Sequence, residues 1–246
     1  MAKCYGNSLV GTSGINGDRF YISSDRSTIM LADGASGAGA DGKVAMSTLC
    51  VETVESMSFC ESGLSPEVYI REIVWKINNE LITMSQQKNK YIFGTLIICI
   101  IENNTATIAA IGDSPAFLIR GNKAERIAKP KKIYDNLVQR GVFKEEQLDE
   151  YVHRLPEHMW SMFETFIPMV VLEYSVEEYS LLDGDMIAVC CDGVSDYLNT
   201  EELLQLIESN DLTKSVNAII AEARDKAIKA HQKNIHDDIT IVLYQH

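Results

Sequence analysis

Apolar residues follow two spacings along the chain. Thr28–Ala32, Ile92–Ile101, Thr105–Ile111, Ala116–Ile119, Met186–Cys191 and Ile239–Tyr244 are short apolar runs, several rich in β-branched residues, and they read as strands. Phe20–Ile22 is strand-like as well. Runs without a polar face imply strands covered on both sides, or one sheet packed on another. Helical spacing begins at Ser65-Pro66-Glu67, where a cap precedes a first-turn proline and an acid suits the positive end of the helix dipole. Ile70, Ile73, Val74, Ile77, Leu81 and Met84 then form one apolar stripe. A second helix is expected over Lys43–Phe59, and Thr200-Glu201-Glu202 opens a short third. A fourth covers Thr213–His231, with Val216, Ile219, Ile220 and Ala223 on one face. Helices, strands, helices and a last strand in that order predict an α+β sandwich, not alternating βαβ units. Lys123–Phe166 is charged, weakly periodic and without a strand pattern, which suits a flap or small subdomain. The expectation is one domain over 1–246 with a flap at about 123–166.

The strands share a feature at their ends. Leu31-Ala32 runs into Asp33-Gly34, Ala110-Ile111-Gly112 into Asp113-Ser114, and Cys190-Cys191 into Asp192-Gly193. Asp18 directly precedes Phe20–Ile22 by one residue, and Asp237-Asp238 precedes the last strand. Any single Asp-Gly is most simply a turn, as expected of Asp183-Gly184 before a strand. Five acids gathered at one end of a sheet repel one another unless a cation joins them. The chemistry that calls for such a group is a pair of hard dications, about 3.5–4 Å apart, bridged by carboxylate and water. Gly37-Ala38-Gly39-Ala40-Asp41-Gly42 also matches the dinucleotide pattern G-x-G-x-x-G. It starts well beyond the strand end, however, and leaves the other aspartates without a role.

Composition narrows the partners. Lys and Arg number 22 against 35 Asp and Glu, a net charge of −13, which argues against a general nucleic-acid binder. The longest apolar stretch, Tyr91–Ile101, falls short of the about 20 residues of a membrane span. Met1-Ala2-Lys3-Cys4 does not open a signal peptide, so a cytoplasmic protein without membrane association is expected. The 6 cysteines include no C-x-x-C pair and suit reduced, mostly buried thiols.

Taken in order, Asn16-Gly17-Asp18, Leu31-Ala32-Asp33-Gly34-Ala35-Ser36-Gly37, Phe93-Gly94-Thr95, Ile111-Gly112-Asp113-Ser114, Cys191-Asp192-Gly193-Val194-Ser195-Asp196 and Asp237-Asp238-Ile239-Thr240 resemble the metal-dependent type 2C (PPM) serine/threonine protein phosphatases of bacterial type. The resemblance implies a four-layer α-β-β-α sandwich of two antiparallel sheets flanked by helix pairs. It implies hydrolysis of phosphoserine and phosphothreonine in proteins by metal-activated water, with Asp18, Asp33 and Asp192 catalytic. Asp33, the Gly34 carbonyl, Asp192 and Asp237 would hold two Mn²⁺ or Mg²⁺ ions, and Asp18 a metal or its water. Asp113 and Asp196, with Asp192, match the positions of a third, weaker ion. The expected partner is a phosphorylated protein, the setting signalling, and the state a monomer.

The chain departs from that pattern in several places. Ser13 stands where the family usually has a phosphate-gripping arginine, Gly17 replaces an acidic or amide residue, and the closing Asp-Asn pair reads Asp237-Asp238. Ala35 takes the place of a histidine found in many eukaryotic members. Arg19, Arg26 and Lys43 are substitute phosphate ligands in principle, and none is assigned. His236 adjoins Asp237 and could orient a ligand or act as an acid; His153 and His158 fall in the flap. The basic run Arg120, Lys123, Arg126, Lys129, Lys131 and Lys132 is either a solvated face or a steering surface. Ser13 motivates the alternative of a pseudophosphatase that binds a phosphorylated partner as a regulator. Hydrolysis of a small phosphorylated metabolite is a further enzymatic rival.

Overall fold

A computed structural model describes residues 2–35, 39–90, 92–127, 174–208, 210–231 and 235–246. The strands are β1 (Lys3–Leu9), β2 (Asp18–Ile22), β3 (Thr28–Gly34), β4 (Gly94–Glu102), β5 (Thr105–Ile111), β6 (Ala116–Arg120), β7 (Lys123–Ile127), β8 (Val176–Ser180), β9 (Met186–Cys190) and β10 (Ile239–Gln245). The helices are α1 (Ala40–Met57), α2 (Phe59–Ser62), α3 (Pro66–Lys88), α4 (Asp192–Ser195), α5 (Thr200–Leu206) and α6 (Leu212–His231). The strands form two 5-stranded antiparallel sheets, ordered β1-β10-β9-β6-β7 and β2-β3-β4-β5-β8.

The alternation along β3 and β4 shows why their sequences are apolar throughout. Ile29, Leu31, Ile97 and Cys99 point into the gap between the sheets, against Ile187, Val189 and Val242. Met30, Ala32, Leu96 and Ile98 point the other way, onto Met46 and Cys50 of α1 and Ile70, Ile73 and Ile77 of α3. On the far side Cys190, Ile239 and Ile241 meet Val216, Ile219 and Ala223 of α6. The order is helices, sheet, sheet, helices, the four-layer α+β sandwich. Each fully buried aliphatic side chain contributes roughly 1.5–3 kcal/mol.

Some boundaries differ from expectation. Lys123–Ile127, expected in a flap without strand pattern, pairs with β6 as β7, while residues 128–166 of that segment lie outside the described residues. β7 is an edge strand whose alternating exposed and covered positions let charged residues sit in it. β1 and β8 are further edge strands that mixed polar composition hid. The expected Lys43–Phe59 helix starts at Ala40 and breaks at Ser58, where φ is 33°. Ser65 precedes α3 as expected, but its side chain makes no capping bond.

At the end where β9 begins, the Asp183-Gly184 turn holds Asp185, which is buried. Its carboxylate accepts from Arg120 Nε at 3.0 Å, Arg120 Nη2 at 2.6 Å and the Leu182 amide at 2.8 Å. Arg120 holds this carboxyl below its ordinary range. A depressed pKa gives stability that is complete above the unfolded value of about 4 and fades as pH falls below it. Asp185→Asn should therefore cost about 1–3 kcal/mol in urea unfolding at pH 7, and the gap to the parent should narrow below pH 4.

Candidate metal centre

Antiparallel pairing puts the ends that carry aspartate together. Asp18 at the start of β2 lies directly across from Asp33 near the end of β3, and Asp33 lies across from Thr95 in β4. Asp113 follows β5 on the turn that Thr95 Oγ1 and Ser114 Oγ clamp at 2.6 Å. In the other sheet Asp192 follows β9 and opens α4, while Asp237 and Asp238 lead into β10. Leu9 pairs with Ile239 and Ile241 with Cys190, so these ends too lie at one edge.

The carboxyl groups sense one another. Burial, opposed by a 2.6 Å bond from Thr240 Oγ1, pushes Asp18 up to about 6. Burial followed by the charges of Asp18 and Asp192 holds Asp33 well above the carboxylate range. Burial, then Asp113, Asp196, Asp237 and Asp18, does the same to Asp192. Asp33, Asp113 and Asp192 are partly open to solvent, and Asp196 and Asp237 are exposed, so the cluster lines an accessible surface above a dry floor. Asp18 is 2% exposed, and its Oδ1 has no hydrogen-bond partner. Two ionised carboxylates can only accept, so this oxygen needs either a proton shared with Asp33 or a cation. The charges of Asp18, Asp113, Asp196 and Asp237 thus act on Asp33 or Asp192, and Gly34 ends the strand that carries Asp33.

Among the described residues no three His, Cys, Asp or Glu side chains already stand in a metal-ligating arrangement. The donors nevertheless fit a hard dication: they are oxygens, they are partly open, and one buried oxygen lacks a partner. Charge neutralisation and a small closure of the carboxylates are what binding would supply. The backbone packs closely beside these donors. A Cβ at Gly34 would lie 2.1 Å from the Lys43 carbonyl oxygen, and one at Gly193 would lie 2.0 Å from the Asp238 carbonyl oxygen.

Asp238 is the site residue that sequence reasoning missed, having been read only as a departure. Buried at 4% exposure, it accepts from the Gly11 amide at 2.6 Å, the Gly17 amide at 2.7 Å and Lys43 Nζ at 2.9 Å. Its neighbour Asp237 is the exposed member of the pair, and its Oδ1 accepts from the Asp238 amide. The substitute phosphate ligands are engaged elsewhere. Arg19 Nη1 donates to the Asn16 and Asp18 carbonyls, and Arg26 Nη1 donates to the Ala2 carbonyl at the opposite end of β2 and β3. His236 Nδ1 lies 2.9 Å from the Asp237 carbonyl. In the basic run Arg120 pairs with Asp185 and Arg126 donates to the Asp113 carbonyl. Lys129, Lys131, Lys132, His153 and His158 lie outside the described residues.

Raised carboxyl pKa values have a thermodynamic sign. A native state that keeps protons the unfolded chain has lost is less stable as pH rises above about 4. In chelator, Asp33→Asn should stabilise the protein at pH 8 by about 1 kcal/mol or more, with the gain shrinking towards pH 4 in thermal unfolding.

Comparison with known proteins bears on the same elements. The family model for Stage II sporulation protein E (SpoIIE) matches residues 162–246. No curated protein sequence matches the chain. Among solved structures, the serine/threonine phosphatase PstP/Ppp of Mycobacterium tuberculosis superposes with a TM-score of 0.77 at 20% identity, covering 99% of this chain and 98% of its own. The catalytic domain of PstP in complex with 2 manganese ions gives 0.78 at 20% identity, with 99% and 97% covered. Stp1 of Staphylococcus aureus gives 0.76 at 19%, with 100% and 95% covered. The architecture expected from the sequence is therefore observed: the chain has the fold of the PPM-type serine/threonine phosphatases.

Proposed function

We propose that this protein is a member of the PPM family and a Mn²⁺- or Mg²⁺-dependent phosphatase that hydrolyses phosphoserine and phosphothreonine in proteins. The observation that carries the proposal is the convergence of Asp18, Asp33, Asp113, Asp192, Asp196 and Asp237 at one edge of both sheets, with the Asp18 Oδ1 atom left unpartnered. Asp33, the Gly34 carbonyl, Asp192 and Asp237 would hold a pair of ions, and Asp113 and Asp196 with Asp192 a third, weaker one. When bound, such ions lower the pKa of water and neutralise phosphoryl oxygens. Asp18, fixed by Thr240 on one oxygen, can orient a water through the other. The neighbouring Cys191 is no nucleophile, because burial and then Asp18, Asp33 and Asp192 keep its thiol protonated. The two manganese ions of the PstP complex support the choice of cofactor. Unpaired Cys4, Cys50, Cys60, Cys99, Cys190 and Cys191 suit a reducing cytoplasm, and no described helix is long and apolar enough to cross a membrane.

A second reading is a catalytically weak pseudophosphatase that binds a phosphorylated partner, motivated by Ser13 standing where the resemblance places a phosphate-gripping arginine. Hydrolysis of an aryl phosphate and of phosphopeptides separates the two. Turnover should require Mn²⁺ or Mg²⁺, vanish in chelator and fall about 100-fold or more in Asp192→Asn. Metal-independent turnover overturns the phosphatase proposal, and phosphopeptide binding without turnover at saturating Mn²⁺ selects the second reading.

A further inference from the structure

Lys43 is a buried cation in the first turn of α1, 5% exposed. Its ammonium lies 2.9 Å from Asp238 Oδ2 and 3.4 Å from Ser13 Oγ. Its aliphatic stem runs so close to the loop before β2 that a Cβ at Gly17 would lie 2.7 Å from Lys43 Cδ. Asp238 in turn binds both ends of that loop, through the amides of Gly11 and Gly17. The Gly17 carbonyl then accepts from the Gly34 amide at 3.2 Å. That bond joins the residue next to Asp18 to the residue next to Asp33.

A buried ion pair is weak evidence for stability, since its desolvation costs about as much as its attraction returns. What it supplies is a fixed geometry among groups far apart in sequence. We propose that Lys43 and Asp238 form a positioning pair, which pins the 11–17 loop so that Asp18 and Asp33 keep the separation a metal ion requires. The proposal rests on the metal-dependent reading above. In this role Lys43 acts through the loop and is a positioning residue.

Two measurements on the full chain test it. Hydrogen exchange of the Gly11 and Gly17 amides, in chelator, reads the loop without metal. Calorimetry with Mn²⁺ alone reads the centre without turnover. Lys43→Met, which keeps the stem and removes the charge, should speed exchange at these amides at least about 10-fold while β4 and β5 stay protected. It should also weaken Mn²⁺ binding about 10-fold or more, by the magnitude typical of groups that support metal ligands. Lys43→Arg should restore both to within about 3-fold. Faster exchange with unchanged Mn²⁺ affinity overturns the positioning role, as does unchanged exchange. A raised KM for phosphopeptide with unchanged Mn²⁺ affinity overturns it too, by moving Lys43 to substrate binding. Parent protein that protects the loop but takes up no Mn²⁺ overturns the metal-dependent reading and the positioning role together. Parent protein that binds Mn²⁺ with protection indifferent to Lys43 overturns the pair alone.

Discussion

Placing Asp18 and Asp33 opposite one another at the edge of a dry β ladder costs free energy that the rest of the structure has to offset. The ladder cannot slip to relieve the repulsion, because a one-residue shift would turn Leu31 and Ile97 out of the inter-sheet core. Apolar packing therefore holds two acids where electrostatics alone would part them. Thr240 offsets some of the cost by bonding one oxygen of Asp18, and the chain reaches it only because β10 lies between β1 and β9. Under the proposed metal-dependent reading, such a fold would be more stable with a cation in place than without one, which would link stability and ligand binding at the same atoms.

Much of the architecture was legible because both faces of the central strands are covered. Thr28–Ala32 and Thr105–Ile111 could have no polar alternation once helices lay on one side and a second sheet on the other. The edge strands β1, β7 and β8 were not legible for the converse reason. Gly6, Asn7 and Ser8 in β1 and Lys123 and Glu125 in β7 sit where one side meets solvent, and no local period marks them. The aspartates could be read since turn geometry places them at strand ends. Asp238 could not be read as a hub, because its partners Gly11, Gly17 and Lys43 are distant in sequence and two of them contribute only backbone amides.

The departures from the type 2C pattern at Ser13, Gly17 and Asp238 look unrelated along the chain and meet at one side chain. Ser13 offers its hydroxyl to Lys43, Gly17 leaves room for the stem, and Asp238 supplies the counter-charge. Asp238 without Lys43 would be a buried carboxylate lacking its counter-charge, and a side chain at residue 17 would meet the lysine stem. These departures are best understood as one replacement, in which a lysine from α1 occupies space at the foot of the loop before β2.

The pairing of β1 with β10 has a consequence for how the protein comes into being. Among the described residues Lys3–Leu9 finds its strand partner in Ile239–Gln245, and Asp18 waits on Thr240. During synthesis the β2–β3 and β4–β5 hairpins can close locally, whereas β3 meets β4 only after α1 to α3 are made, and the other sheet lacks β10 until residues 239–245 are made. A nascent chain stalled before that point would hold Asp18 without Thr240 and carry a bare apolar sheet face, a state that chaperones would recognise.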